Sequence, residues 1–279
     1  MKANSNQVGE IILVEAVKQA KQEFGSRLIA CYALGSLAHG GFSPQVSDVD
    51  LAIILTSPLT VENSHQIEVI KNHVKSLPIP LSERLSIFWG SLASLRKEET
   101  GGRFPPLDKL DLIAHGRLLA GNEVRTTIPK PTRREMEVSS SKFALNFLGT
   151  SEMNKDLLQP TNFFDKGVVL LTKIVLFPVR FLYTASTGDI GRNDIAVAHY
   201  LENNQGNKAE LVNRAFRWRC EQPVCDEDTT KLMEKALIPL YLQFIDTYYC
   251  KMLDYKEINL AENLKQWRHE LSSFVVTTS

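Results

Sequence analysis

Neither sign of charge predominates in this chain. Its 279 residues hold 32 Lys and Arg against 32 Asp and Glu, a formal net charge of zero. A domain that clamps a long nucleic acid carries a basic excess, and an obligately cationic ligand calls for an acidic one. The balance argues against a nucleic acid as the main partner. Cysteine is sparse as well. Cys31, Cys220, Cys225 and Cys250 are scattered, which speaks against a disulfide framework. It also leaves Cys220 and Cys225 without the second Cys or His pair that a zinc site needs. No internal repeat is visible. The longest apolar run, 167–183, is interrupted by Lys173, Pro178 and Arg180, whereas a bilayer core asks for about 20 mostly apolar residues. A buried helix is expected there. The polar start, Met1 to Gln7, lacks the apolar segment of a secretory signal, so a cytoplasmic protein with no membrane partner is expected.

What is present is ordinary globular material, 43% hydrophobic and 23% charged, enough for a packed core. Apolar residues three or four apart predict a helix over 8–24, and similar stripes predict helices over 60–75 and 107–114. Short apolar runs without helical length predict strands over 27–34, 48–55, 84–89 and 116–121. The polar stretch 122–132, with Pro129 and Pro131, reads as a linker. Beyond it, helical periodicity covers 133–148, 162–187, 194–202, 208–220, 228–253 and 260–274. Strands followed by a run of helices predict an α+β chain. Residues 1–130 are expected to form a small mixed sheet flanked by helices, and residues 131–279 an all-helical domain.

Chemistry gathers at Leu34-Gly35-Ser36 and Asp48-Val49-Asp50-Leu51. Side chains alternate along a strand, so Asp48 and Asp50 share a face about 6.6 Å apart. At that separation two carboxylates repel by about 0.6 to 2.5 kcal/mol, which a cation would relieve. One or two carboxylates completed by substrate phosphates describe a magnesium site. A glycine turn leading into a helix offers amide groups for phosphate, and Ser36 adds a hydroxyl. Gly35 and Ser36 are therefore candidate nucleotide-binding residues, and Asp48 and Asp50 candidate metal ligands.

These residues, GSLAHGGFSPQVSDVDL over 35–51, resemble the DNA polymerase β nucleotidyltransferase superfamily, whose mark is Gly-Ser, a spacer of about ten residues and Asp-x-Asp on a strand. GRLLAG at 116–121 resembles the close of small bacterial members. FLYTASTGDIGRNDIAVAHYL, 181–201, is similar to the helical domain of aminoglycoside adenylyltransferases that modify streptomycin and spectinomycin. The resemblance implies a two-domain enzyme with its substrate cleft between the domains. It would move AMP from ATP, with magnesium, to a hydroxyl of a small molecule. The resemblance also implies a third carboxylate on the strand after the second helix, where Arg84 to Trp89 contains none. Glu83, immediately before that strand, is the candidate base, although it shares parity with Leu85, Ile87 and Trp89 and would face the core unless the strand begins with a bulge. Asp108, Asp111 or no base at all are the alternatives. Two other readings stay open: a toxin- or antitoxin-type nucleotidyltransferase acting on tRNA or protein, and a silent nucleotide-binding member of the fold. The basic run Arg214, Arg217, Arg219 is expected to be a solvated helix face.

Overall fold

The computed structural model describes residues 5–275; the first four residues of the polar start lie outside them. The chain divides into two compact units, Met1–Pro131 and Thr132–Ser279. In the first, the order is α1 (Ser5–Phe24), β1 (Leu28–Leu34), α2 (Gly35–His39), β2 (Val49–Leu55), α3 (Val61–Ser76), β3 (Leu85–Ser91), α4 (Leu92–Leu95), α5 (Pro106–His115) and β4 (Arg117–Gly121). The four strands form one sheet in the order β3-β2-β1-β4. β1 pairs antiparallel with both β2 and β4, while β2 and β3 run parallel.

Period-two alternation gives this sheet two apolar faces. Val49, Leu51, Ile53 and Leu55 of β2 and Leu85, Ile87 and Trp89 of β3 turn to α1 and α3, meeting Ile12, Leu13, Ile67, Ile70 and Val74. Ala52, Ile54 and Phe88 turn to the other side, with Leu95 of α4, Leu112 of α5, Val124 and Ile128. Asp50 and Ser86 share this second face by parity. The α3 start is fixed by a capping box between Thr60 and Asn63, whose reciprocal bonds occupy amides that a helix end otherwise leaves open.

The stretch expected to be a linker is tied down instead. Val124 and Ile128 are 8% and 5% exposed, and the Tyr32 hydroxyl accepts the Val124 amide at 2.8 Å. Polar composition concealed two apolar anchors. Beside them, Glu123 is held by the Arg125 guanidinium and amide and lies 3.1 Å from the Tyr32 hydroxyl. The Arg125 hydrogen bonds, outweighing burial, bring its carboxyl down to about 2 from an ordinary 4.5. A depressed carboxyl stabilises the fold above its unfolded pKa, and that contribution disappears as pH falls from about 4.5 toward 2. Melting curves of wild type and Glu123→Gln are expected to differ at pH 6, to draw together as pH falls below about 4.5, and to converge only near pH 2.

The second unit is all helix: α6 (Arg133–Phe147), α7 (Ser151–Leu158), α8 (Asn162–Asp165), α9 (Val168–Thr187), α10 (Asn193–Asn203), α11 (Asn207–Arg217), α12 (Glu227–Asp254) and α13 (Ile258–Val275). The helix expected over 162–187 is two, divided at Gly167 with φ +91°, a value that favours glycine. α7 went unforeseen. Among the described residues, α9 alone is long and apolar enough to cross a membrane, and 56% of that apolar window is buried inside the protein. It packs on α6, α10, α11 and α12. Its Ile174 and Phe181 carbonyls accept the buried Tyr241 and Tyr248 hydroxyls, each at 2.9 Å. The basic run is not one solvated face. Arg214 pairs with Glu210 at 2.8 Å and Arg219 is only 9% exposed.

Candidate active site

The site forms where β1 ends and β2 begins. Leu34 pairs with Asp50 across the antiparallel ladder, so the turn that follows Leu34 folds over the Asp50 side chain. Gly35 takes φ +60°, and a Cβ placed there would lie 2.3 Å from Asp50 Oδ2. Only hydrogen fits between that backbone and the carboxylate. Asp48, just before β2, shares Asp50's parity, and both are half-buried. The turn and the carboxylate pair, read together from the sequence as one motif, adjoin in the fold, with half-buried Ser36 on the turn. Gly35→Ala adds a methyl at the contact and demands a backbone that costs an L-residue about 1–2 kcal/mol. We expect it to lower the nucleotidyl transfer that the resemblance implies about 10²-fold, the scale of a misplaced reacting group, as read by pyrophosphate release.

One partner of this turn was foreseen only as a possible base. Asp111 of α5 is 4% exposed, and its Oδ2 accepts the Gly35 amide at 2.6 Å. Its Oδ1 is buried without a hydrogen-bond partner. The Gly35 amide, expected to face phosphate, is therefore engaged by a carboxylate, and Gly35 touches both Asp50 and Asp111. Asp111 belongs to four consecutive buried residues, Lys109 to Leu112, so no periodicity singles it out. At the ends of the same two helices, His39 and His115 pack edge to face with ring centroids 5.5 Å apart.

Glu83 lies in a single 3₁₀ turn, Ser82–Arg84, preceded by Leu81 at φ +67°. Strand parity does not reach it. It is 55% exposed, 3.7 Å from Arg84 Nε, and lines a pocket of about 490 Å³ together with Asp48, Arg84, Ser86 and Arg103. The parallel register puts Ser86 beside Asp50, on the strand for which the resemblance implies a third carboxylate. The described residues contain no group of three or more His, Cys, Asp or Glu placed to hold a metal ion. A pair of aspartates suits an ion that completes its shell with water and phosphate oxygen, the habit of magnesium.

An α+β unit with a glycine-serine turn folded onto an Asp-x-Asp strand defines a nucleotidyltransferase domain, and residues 13–100 match the family model described as "Nucleotidyltransferase domain". The chain is accordingly an enzyme of the nucleotidyl-transferring class, with a DNA polymerase β-like first unit. Among solved structures it is similar to the spectinomycin adenyltransferase AAD(9) from Enterococcus faecialis, crystallised with ATP and spectinomycin. The TM-score is 0.55 at 16% identity, over 80% of this chain and 97% of the other, which is a likeness of two-domain fold. No curated protein matches the chain by sequence.

Proposed function

We propose that this enzyme transfers a nucleoside monophosphate, AMP from ATP, to a hydroxyl of a small molecule of the antibiotic kind, in the cytoplasm. The observation that carries this reading is the contact of Gly35 with Asp50, which brings the turn proposed to bind phosphate against the strand proposed to bind metal. In the proposed site Asp48 and Asp50 would hold magnesium, and Ser36, on the turn that Gly35 shapes against Asp50, would meet the triphosphate. When bound, the ion stabilises negative charge on the transferring phosphoryl group. The Gly35 turn packs against Asp50, and Asp111 holds that turn through the Gly35 amide. Glu83 stands on the rim shared with Asp48 and is the base proposed to take the acceptor's proton. The acceptor oxygen attacks the α-phosphorus in line with the departing pyrophosphate.

The test incubates the full chain with Mg-ATP and a panel of hydroxylated antibiotics, spectinomycin included, and reads pyrophosphate release. Acceptor-dependent release that disappears in Asp48→Ala supports the proposal. Equal release by wild type and Asp48→Ala overturns it. Glu83→Gln is expected to slow the wild-type reaction by about 10²-fold, the usual share of a general base.

A further inference from the structure

A glycine at φ +60° has no side chain of its own to keep it there, since both signs of φ are open to it. The turn at Gly35 must therefore be fixed by what surrounds it. α5 makes two contacts with the short helix α2 that begins at this turn. At the start of α2 the Gly35 amide donates to Asp111 Oδ2 at 2.6 Å. At its end the His39 and His115 rings meet, their centroids 5.5 Å apart. Gly35 and His39 lie about one turn apart on α2, as Asp111 and His115 do on α5, so one face of each helix meets one face of the other.

Asp111 is itself held in place. It is 4% exposed, and its neighbours Leu110 and Leu112 are buried too. Leu112 belongs to the same core as Leu34, the residue that leads into the turn. Stability alone does not favour a carboxylate at this position. Its Oδ1 is buried with no hydrogen-bond partner, a cost that an apolar side chain would not carry. Asp50 also lies against the same glycine with charge of the same sign. What the carboxylate supplies is a strong acceptor for one amide, because a hydrogen bond to an ionised group is shorter and stronger than a neutral one.

We infer that Asp111 is a positioning residue for nucleotidyl transfer: by accepting the Gly35 amide it fixes the turn that packs on Asp50, and so sets the direction in which Asp50 presents its carboxylate to a metal ion. This rests on the nucleotidyltransferase reading above and adds to it a residue from a helix outside the motif. Asp111 takes no part in making or breaking bonds. It acts through the Gly35 backbone, as a group behind a metal ligand orients that ligand.

The experiment reads metal affinity instead of turnover. Manganese, followed by electron paramagnetic resonance, is titrated into the full chain with a non-hydrolysable ATP analogue, well below the melting midpoint of each variant so that only folded protein is counted. Asp111→Leu, similar in size but without an acceptor, is expected to weaken manganese binding about 10-fold, the usual cost of removing a group that orients a metal ligand. Asp111→Asn, whose side-chain carbonyl still accepts the Gly35 amide, is expected to stay within about 3-fold of wild type. The Gly35 amide proton, read by NMR, is expected to move upfield in Asp111→Leu and less in Asp111→Asn. Equal affinity in wild type and Asp111→Leu overturns the inference. An Asp111→Asn as weak as Asp111→Leu gives the role to charge and overturns it too, as does a Gly35 proton unmoved in Asp111→Leu. If Asp111→Leu does not fold, Asp111→Ala takes its place with the same expectations. Wild type that binds no manganese, or Asp50→Asn that binds it as tightly as wild type, sinks the nucleotidyltransferase reading itself, a result separable from the others.

Discussion

Asp50→Asn is expected to lower nucleotidyl transfer by at least about 10³-fold, roughly 4 kcal/mol of transition-state stabilisation. The substitution is isosteric, so the amide fills the space against Gly35 where no Cβ fits, and the ladder partners of β2 are untouched. The negative charge and one hard oxygen ligand are lost. The neighbours of Asp50 on β2, Val49 and Leu51, are fully buried in the opposite core, which the isosteric change leaves as it is. Asp48 and Asp50 on one strand face repel each other, and Asp111 adds a third carboxylate against the same turn. Neutralising Asp50 therefore relieves repulsion, and the melting midpoint of Asp50→Asn is expected to equal or exceed that of wild type without magnesium. A site that costs stability and supplies chemistry gives this opposite pair of effects. Loss of activity with a lowered midpoint would mark Asp50 as a structural residue instead.

The residues legible in the sequence are those whose placement follows from local pattern. Asp48 and Asp50 were readable as a pair because strand parity is a local property, and Gly35 and Ser36 because a turn between two apolar runs has its own signature. The sheet, the helical second unit and the capped start of α3 follow from the same kind of information. Asp111 could only be guessed at as a base, because its importance lies in a hydrogen bond to Gly35, 76 residues away. Glu83 could not be oriented, because strand parity assumes a strand, and a 3₁₀ turn entered through a left-handed Leu81 breaks the assumption. Arg103 sits in a segment of glycines and prolines that reads as plain loop, and only its pairing with Trp89 brings it to the sheet. The linker reading of 122–132 failed for a related reason. Two apolar residues among polar ones have no period, and their burial depends on the Tyr32 hydroxyl meeting the Val124 amide.

The largest stability effect is expected in the helical unit, at a residue no motif marks. Glu137 of α6 is fully buried, and it takes Arg133 Nε at 3.0 Å, Lys251 Nζ at 3.0 Å and the Tyr255 hydroxyl at 2.7 Å. Burial first, then the hydrogen bond to Glu137, pushes the Tyr255 phenol up to about 12, so it remains a donor. Arg133 also donates to the Ala185 and Ser186 carbonyls at the end of α9, which makes the cluster a joint between α6, α9 and α12. The cations are partly exposed, 45% for the Arg133 side chain and 22% for Lys251, and can turn to water when their partner is removed. Glu137 cannot. The asymmetry predicts which deletion hurts most: the double variant Arg133→Met, Lys251→Met strands a buried carboxylate and is expected to cost about 3–5 kcal/mol. Adding Glu137→Leu removes the stranded charge and is expected to restore at least about half of that loss, because an apolar replacement of a buried ionic group is often neutral. Denaturant melts followed in the helical unit measure both steps, each unit being treated as its own transition. A triple variant less stable than the double would mean that Glu137 contributes through shape and not through its charge.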